Sequence, residues 1–292
     1  FKNIFKLEPA HYLLIQMSGK IEKKRYWQLN MSDKLSLKEK EWEERIHTKL
    51  EESVRMRLVS DVPLGVHLSG GIDSSLVVAF MAQAMNKPVK TFSIGFEEND
   101  YNELPYARLV AQKYKTDHHE LMVKPNMIDV LPKLVYHYEE PYADPSALPT
   151  WYLCEMTKKY VTVALNGDGG DENFAGYPRY NVFKLYQQLK YLPFKTFWKK
   201  ISGIFYQLTK MGILRKSYKF FSSYDAHYML FYLKLIDYFD QEEKRLLYSD
   251  GFKKKIDNSR WRSFLESKFN EAKDLDWLDK LLYTDINSYL PD

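Results

Sequence analysis

Leu64-Gly65-Val66-His67-Leu68-Ser69-Gly70-Gly71-Ile72-Asp73-Ser74-Ser75 is the stretch that decides the fold. Leu64–Leu68 is a short apolar run of buried-strand length, and it enters a glycine turn. Ser74–Ala84 then reads as a helix. Two glycines admit backbone conformations closed to other residues and let amide N–H groups approach an anion. Ser69, Ser74 and Ser75 add hydroxyl donors, and the helix start adds its positive dipole end. Asp73 is badly placed against bare phosphates unless a Mg2+ ion lies between them. Strand, loop and helix in this order therefore ask for a metal-bound polyphosphate. The stretch is not a Walker loop, which needs Gly-Lys-Ser/Thr after four intervening residues, nor a dinucleotide fingerprint, since no third glycine follows at the right spacing.

Working outward, the hydrophobic period keeps changing. Downstream, Val89–Ile94 reads as a strand, Tyr106–Tyr114 as a helix and His119–Val123 as a strand. Met127–Tyr138 and Leu148–Lys159 read as helices, and Val161–Leu165 is a β-branched strand opening into a second glycine-rich turn. Strands alternating with helices predict an α/β fold, a doubly wound parallel sheet with buried strands. Such sheets bind ligands beyond the carboxyl ends of their strands, where both glycine turns fall. Upstream, His11–Gln16 and Lys20–Trp27 read as strands joined at Ser18-Gly19. Ser36 with Glu39 has the spacing of a capping box, and Trp42, Ile46, Leu50, Val54 and Leu58 then form the apolar stripe of a surface helix. Beyond Tyr180 the strand signals fade. Phe183–Leu192, Phe197–Leu208, Tyr228–Phe239 and Leu275–Tyr289 read as helices separated by polar breaks. The expected organisation is 1–35 as a leading segment, 36–180 as the α/β core and 181–292 as an appended helical subdomain.

Composition bounds the function. Tyr, Phe and Trp are abundant, and Gly and Pro number 12 each in 292 residues, which excludes a disordered or collagen-like chain. One cysteine, Cys154, excludes a disulfide scaffold and a cysteine zinc cluster; in a predicted helix it reads as a small buried apolar residue. No uncharged apolar run reaches the length of a membrane span. The net charge of +4 is uneven: residues 181–224 carry nine Lys or Arg and no acid. That block, with its interleaved aromatics, has the character of a helix pair for an anionic membrane or RNA. The plainer reading, packed apolar faces with solvated lysines, is preferred, so no nucleic-acid partner is expected. His118-His119 are adjacent on a strand and point apart, which disfavours a metal pair. Glu139-Glu140, before Pro141, can offer only one carboxylate to any one site, and a capping role serves as well.

The second turn is Asn166-Gly167-Asp168-Gly169-Gly170-Asp171-Glu172. Three carboxylates in seven residues repel one another, and bound Mg2+ or an amine nucleophile would relieve the repulsion. Ser-Gly-Gly-Ile-Asp-Ser at 69–74 resembles the pyrophosphate loop of ATP pyrophosphatases. The second turn, with Phe174-Ala175-Gly176-Tyr177-Pro178-Arg179-Tyr180, resembles the Gly-Asp-Gly-Ala-Asp-Glu…Gly-Gly-Tyr motif of glutamine-hydrolysing asparagine synthetases. Ser93-Ile94-Gly95-Phe96, His118-His119-Glu120 and the Glu139–Pro149 segment agree with that family. So do Leu7–Tyr12 and Arg25-Tyr26-Trp27, and Tyr289-Leu290-Pro291-Asp292 near the end.

The resemblance implies an adenine nucleotide alpha-hydrolase-like fold and an ATP-dependent amidotransferase making asparagine through β-aspartyl-AMP. Its substrates would be aspartate, ATP and ammonia from glutamine, its cofactors ATP and Mg2+, its setting cytoplasmic, and a homodimer is allowed. Ser69, Gly70, Gly71, Asp73, Ser74 and Ser75 are assigned to the pyrophosphate and its metal, Asp73 and Asp171 to Mg2+, and Leu68, Ile94 and Gly167 to adenine and ribose. Asp168 is assigned to receive ammonia or take its proton, so Asp73, Asp168 and Asp171 form the expected catalytic set. Asn166 departs from the family's usual serine, and Asp168 from the glutamate found in many members. The family's N-terminal glutaminase cysteine and a later basic residue have no counterpart, so the sequence is read as a piece lacking the glutaminase half. Two other readings stand beside this one: an amide or lactam ligase for another carboxylate, such as a surface-polysaccharide sugar acid, and a nucleotide-binding module without catalysis.

Overall fold

The structure is a computed structural model, and it describes residues 3–98, 102–124, 126–140, 142–189, 228–237, 239, 241–256 and 260–291. The chain forms two compact units, Leu35–Asp168 and Phe1–Lys34 together with Gly169–Asp292.

The Leu35–Asp168 unit carries the sheet. Four strands, β3 (Leu64–His67), β4 (Lys90–Phe96), β5 (Asp117–Val123) and β6 (Val163–Leu165), lie in the order β5-β4-β3-β6. Every pairing is parallel, with Val66 opposite Thr91 on one side and Leu165 on the other. Helices cover both faces. On one, α1 (Glu39–Arg57), α2 (Ile72–Ala84) and α3 (Leu104–Tyr114) bury Val54, Val78, Met81, Ala107 and Ala111 against Val66 and Val89. On the other, α5 (Ala147–Thr157) packs Met156 on Phe92 and Val161, and α4 (Met127–Tyr138) packs Val130 and Leu134 on Ala147. The expected doubly wound parallel α/β sheet is what this unit forms.

The chain visits β3, β4 and β5 in one direction, then returns to the far side of β3 for β6. The topological switch point is therefore between β3 and β6, the two strands whose carboxyl ends run into the glycine turns.

Two local expectations need correction. The N-cap of α1 is Lys38, not Ser36, and the Glu41 carboxylate accepts the Lys38 N–H at 2.9 Å. Starting there puts Glu39 and Glu41 in the first turn and keeps Lys38 out of it, which suits the helix dipole. Cys154 is exposed rather than buried. The inward stripe of α5 runs through Leu153, Met156 and Thr157, and Cys154 lies off it.

The other unit begins with a hairpin, β1 (His11–Ile15) antiparallel to β2 (Ile21–Arg25), turning where Ser18-Gly19 was expected to turn it. Its helices are α6 (Gly170–Phe174), α7 (Pro178–Leu189), α8 (Tyr228–Ile236), α9 (Gln241–Leu247), α10 (Asp250–Lys253), α11 (Arg260–Glu271) and α12 (Trp277–Ile286). Tyr180, Phe183, Tyr186, Phe231, Tyr232, Phe269 and Leu281 make an aromatic-rich core, with Tyr186 stacked on Phe231 at 4.0 Å. The described residues of 241–271, a stretch read from sequence as polar breaks, are largely helical. The expected helix Phe197–Leu208 and most of the basic block lie outside the described residues.

Candidate functional site

The first glycine turn leaves β3 at Leu68, whose side chain is buried in the core while its carbonyl accepts the Ser93 hydroxyl. Gly70 has φ +87°, and a Cβ there would sit 2.6 Å from the Ala107 backbone nitrogen at the start of α3. Only glycine satisfies both the positive φ and this close approach. The loop braces itself through its serines. Ser69 Oγ accepts the Gly71 N–H at 3.1 Å and lies 2.9 Å from Ser74 Oγ, which donates to the Gly71 carbonyl.

What the bracing leaves over is chemically informative. The first N–H groups of α2, from Ile72 to Ser74, have no intrahelical acceptor, as at any helix start. Ser75 Oγ is buried without a hydrogen-bond partner, an arrangement proteins avoid unless something else supplies one. The Asp73 carboxylate, in the first turn of α2, meets no donor or cation among the described residues. The turn therefore presents unused donors beside an uncommitted carboxylate.

The second turn comes to the same place. Gly167 follows β6, and a Cβ on it would lie 2.9 Å from the Ser74 nitrogen and 3.0 Å from Asp73 Cβ. A side chain at 167 would thus cap the amide that the first loop offers to an anion. Ile94 is half-buried at the carboxyl end of β4, next to β3. The structure therefore brings together Ser69–Ser75 and Gly167 at the switch point. Asn166 and Asp168 are both exposed, and Asn166 bonds to Asp168 twice: its side-chain Nδ2 donates to Asp168 Oδ2 at 2.5 Å, and its Oδ1 accepts the Asp168 N–H at 3.3 Å.

Asp171 belongs to the other unit, on α6, whose N-cap Gly169 has φ +91°. The Asp171 carboxylate fills the space a Cβ on Gly176 would need, so a side chain at 176 would displace that carboxylate. Next to it, Glu172 is buried and accepts the Tyr177 hydroxyl at 2.6 Å. Burial, and then the Glu172 carboxylate, push the Tyr177 hydroxyl well above its usual value, so it stays a donor.

Sequence reading gave no role to a second cluster beside this helix. Asp285 of α12, only 2% exposed, accepts from Arg179 at 2.8 and 3.2 Å, from Tyr180 at 2.5 Å and from Tyr232. The Arg179 guanidinium in turn lies over the Tyr177 ring at 3.8 Å. Although burial opposes its charge, the Tyr232 and Asp285 partners keep Arg179 firmly protonated. Arg179 stands inside a quoted motif, but its partner lies 106 residues away with no local pattern to announce it.

The paired histidines separate as expected. His118 Nδ1 lies 2.8 Å from Thr91 Oγ1 on one face of the sheet, whereas the His119 ring packs against Phe92 and Tyr160 on the other. Burial holds His118 below the usual histidine range. Glu139 sits at the C-cap of α4 in a left-handed conformation, a structural post.

A doubly wound parallel sheet with two glycine turns meeting at its switch point defines the class: α/β proteins of the kind that bind ligands beyond the carboxyl ends of their strands. Within that class the chain belongs to the asparagine synthase family, whose model matches residues 45–292. Over 180 residues it is 42% identical to asparagine synthetase (glutamine-hydrolyzing) 2 assigned to Methanocaldococcus jannaschii, covering 61% of this chain and 35% of that protein. Over 194 residues it is 34% identical to asparagine synthetase (glutamine-hydrolyzing) 1 of Bacillus subtilis, covering 66% and 30%. It is also 32% identical over 201 residues to the amidase chyE of Penicillium rubens, covering 62% and 30%. The matches thus span about a third of the length of these relatives.

Proposed function

We infer that this chain carries the ATP-using, amide-forming part of an asparagine-forming amidotransferase. The observation that supports this most directly is the meeting of Gly167 with Asp73 and Ser74 where β3 and β6 end. The aspartate side-chain carboxylate would attack the α-phosphorus of ATP, forming β-aspartyl-AMP and releasing pyrophosphate. Ammonia derived from glutamine would then displace AMP. Alignment and charge neutralisation dominate such chemistry, so binding groups rather than a protein nucleophile are what it needs.

The N–H groups of Ile72–Ser74 and the hydroxyls of Ser69, Ser74 and Ser75 would hold the departing pyrophosphate, with Gly70 and Gly71 giving the close approach. Ile94 and Gly167 would edge the adenine and ribose, with Leu68, 1% exposed, supporting them from the core. An uncommitted Asp73 carboxylate fits a hard cation, and Mg2+ commonly takes one or two carboxylates plus phosphate oxygens. Mg2+ held by Asp73 would supply charge neutralisation on the polyphosphate. Asp168 would receive the proton that ammonia loses.

A second reading, in which the same chemistry serves another carboxylate, is favoured by the relative named an amidase. ATP–pyrophosphate exchange by the full-length protein separates the two. Exchange that requires aspartate supports the first reading. Exchange driven only by a different carboxylate supports the second, and Mg·ATP binding with no exchange under any carboxylate overturns both.

A further inference from the structure

We propose that Asn166 is a positioning residue for the amide-forming step, acting through Asp168. The inference rests on the role given to Asp168 above. Its own evidence is the double hydrogen bond between the two side chains and the backbone. Asn166 Oδ1 accepts the Asp168 N–H, an Asx turn that sets the course of the chain after β6. The Nδ2 of the same side chain donates to Asp168 Oδ2, which fixes the direction of the carboxylate. One amide therefore sets both the backbone and the side-chain orientation of Asp168. An amide suits this task because it carries a donor and an acceptor on one rigid plane. A carboxylate of the same shape keeps the acceptor and loses the donor, and a serine hydroxyl is too short to span both.

The step concerned is attack of ammonia on the β-carbonyl carbon of β-aspartyl-AMP. The nitrogen lone pair forms the C–N bond, the bond from carbon to the phosphate oxygen breaks, and AMP leaves with that electron pair. The nitrogen gives up one proton, and the Asp168 carboxylate accepts it. Adenylation comes earlier, at the first glycine turn, and does not call on this pair.

The test uses the full-length protein with ammonium as nitrogen donor, and compares wild type with Asn166→Asp and Asn166→Ser. Aspartate-dependent pyrophosphate release and asparagine yield are measured in the same reactions. Asn166→Asp should keep pyrophosphate release within about twofold and lower the amide formed per pyrophosphate by tenfold or more, with a raised KM for ammonium. Asn166→Ser should fall between the two. The position is exposed, so neither variant threatens the fold. An unchanged amide-to-pyrophosphate ratio in both variants overturns the positioning role while leaving the asparagine-forming reading intact. Equal loss of both steps overturns it as well, marking Asn166 as a general support of the loop. Absence of aspartate-dependent pyrophosphate release in the wild type overturns the functional reading, and this inference with it.

Discussion

Gly70 shows how much one residue position can carry. Its positive φ and its contact with the Tyr106–Ala107 backbone bind the anion loop to the start of α3. Alanine there would pay for both a left-handed conformation and a backbone clash. Gly70→Ala should therefore lose about 2–3 kcal/mol in urea unfolding and weaken nucleotide binding as well. A variant of wild-type stability would show that the loop is not tied to α3 in this way. Residues of this kind are legible in sequence because few side chains meet the demand: Ser-Gly-Gly-Ile-Asp-Ser-Ser announces a tight approach to an anion before any coordinates exist. Cys154 was not legible, because a helix position alone does not say which way the helix turns. Its neighbours Met156 and Thr157 took the inward face.

Among the elements, α12 was read from its apolar pattern within two or three residues at each end, but its chief duty was not. That helix delivers Asp285 into a cage of Arg179, Tyr180 and Tyr232 brought by α7 and α8. Asp285→Ala would leave a half-buried guanidinium and the hydroxyls of the buried Tyr180 and Tyr232 without their acceptor. The expected cost is about 3–5 kcal/mol in chemical denaturation. Asp285→Asn, which keeps an acceptor, should cost less, and equal effects of the two would deny the hub its importance. Such pairings join residues far apart in the chain, and no periodicity reports them. Helix α11 is a different kind of miss. Leu265 and Phe269 stand one helical turn apart and face the core, but the charged residues among them hid the stripe. The start of α1 moved for an electrostatic reason, since an acid three places after Lys38 outweighed a serine cap two residues earlier.

For the molecule as a whole, the alternation of apolar runs was enough to give the parallel sheet and its two helical faces. The strand order was not readable, and it is the order that brings both glycine turns together at the ends of β3 and β6. If Mg·ATP is gripped there, binding must stabilise the folded state. At a concentration a hundredfold above its Kd the nucleotide contributes about 2.7 kcal/mol, which raises the melting temperature by about 5 °C. EDTA should abolish most of that shift, and Asp73→Asn should remove it while leaving the melting temperature without ligand unchanged. An undiminished shift in Asp73→Asn would take Asp73 out of the site.

The exposed Cys154 has a practical consequence. It is the one thiol in this sequence, so a maleimide dye would attach at a single place without engineering. Helix α5 bears on the sheet through Met156 and Phe92, so the fluorophore would report loosening of that layer from a position outside the glycine turns.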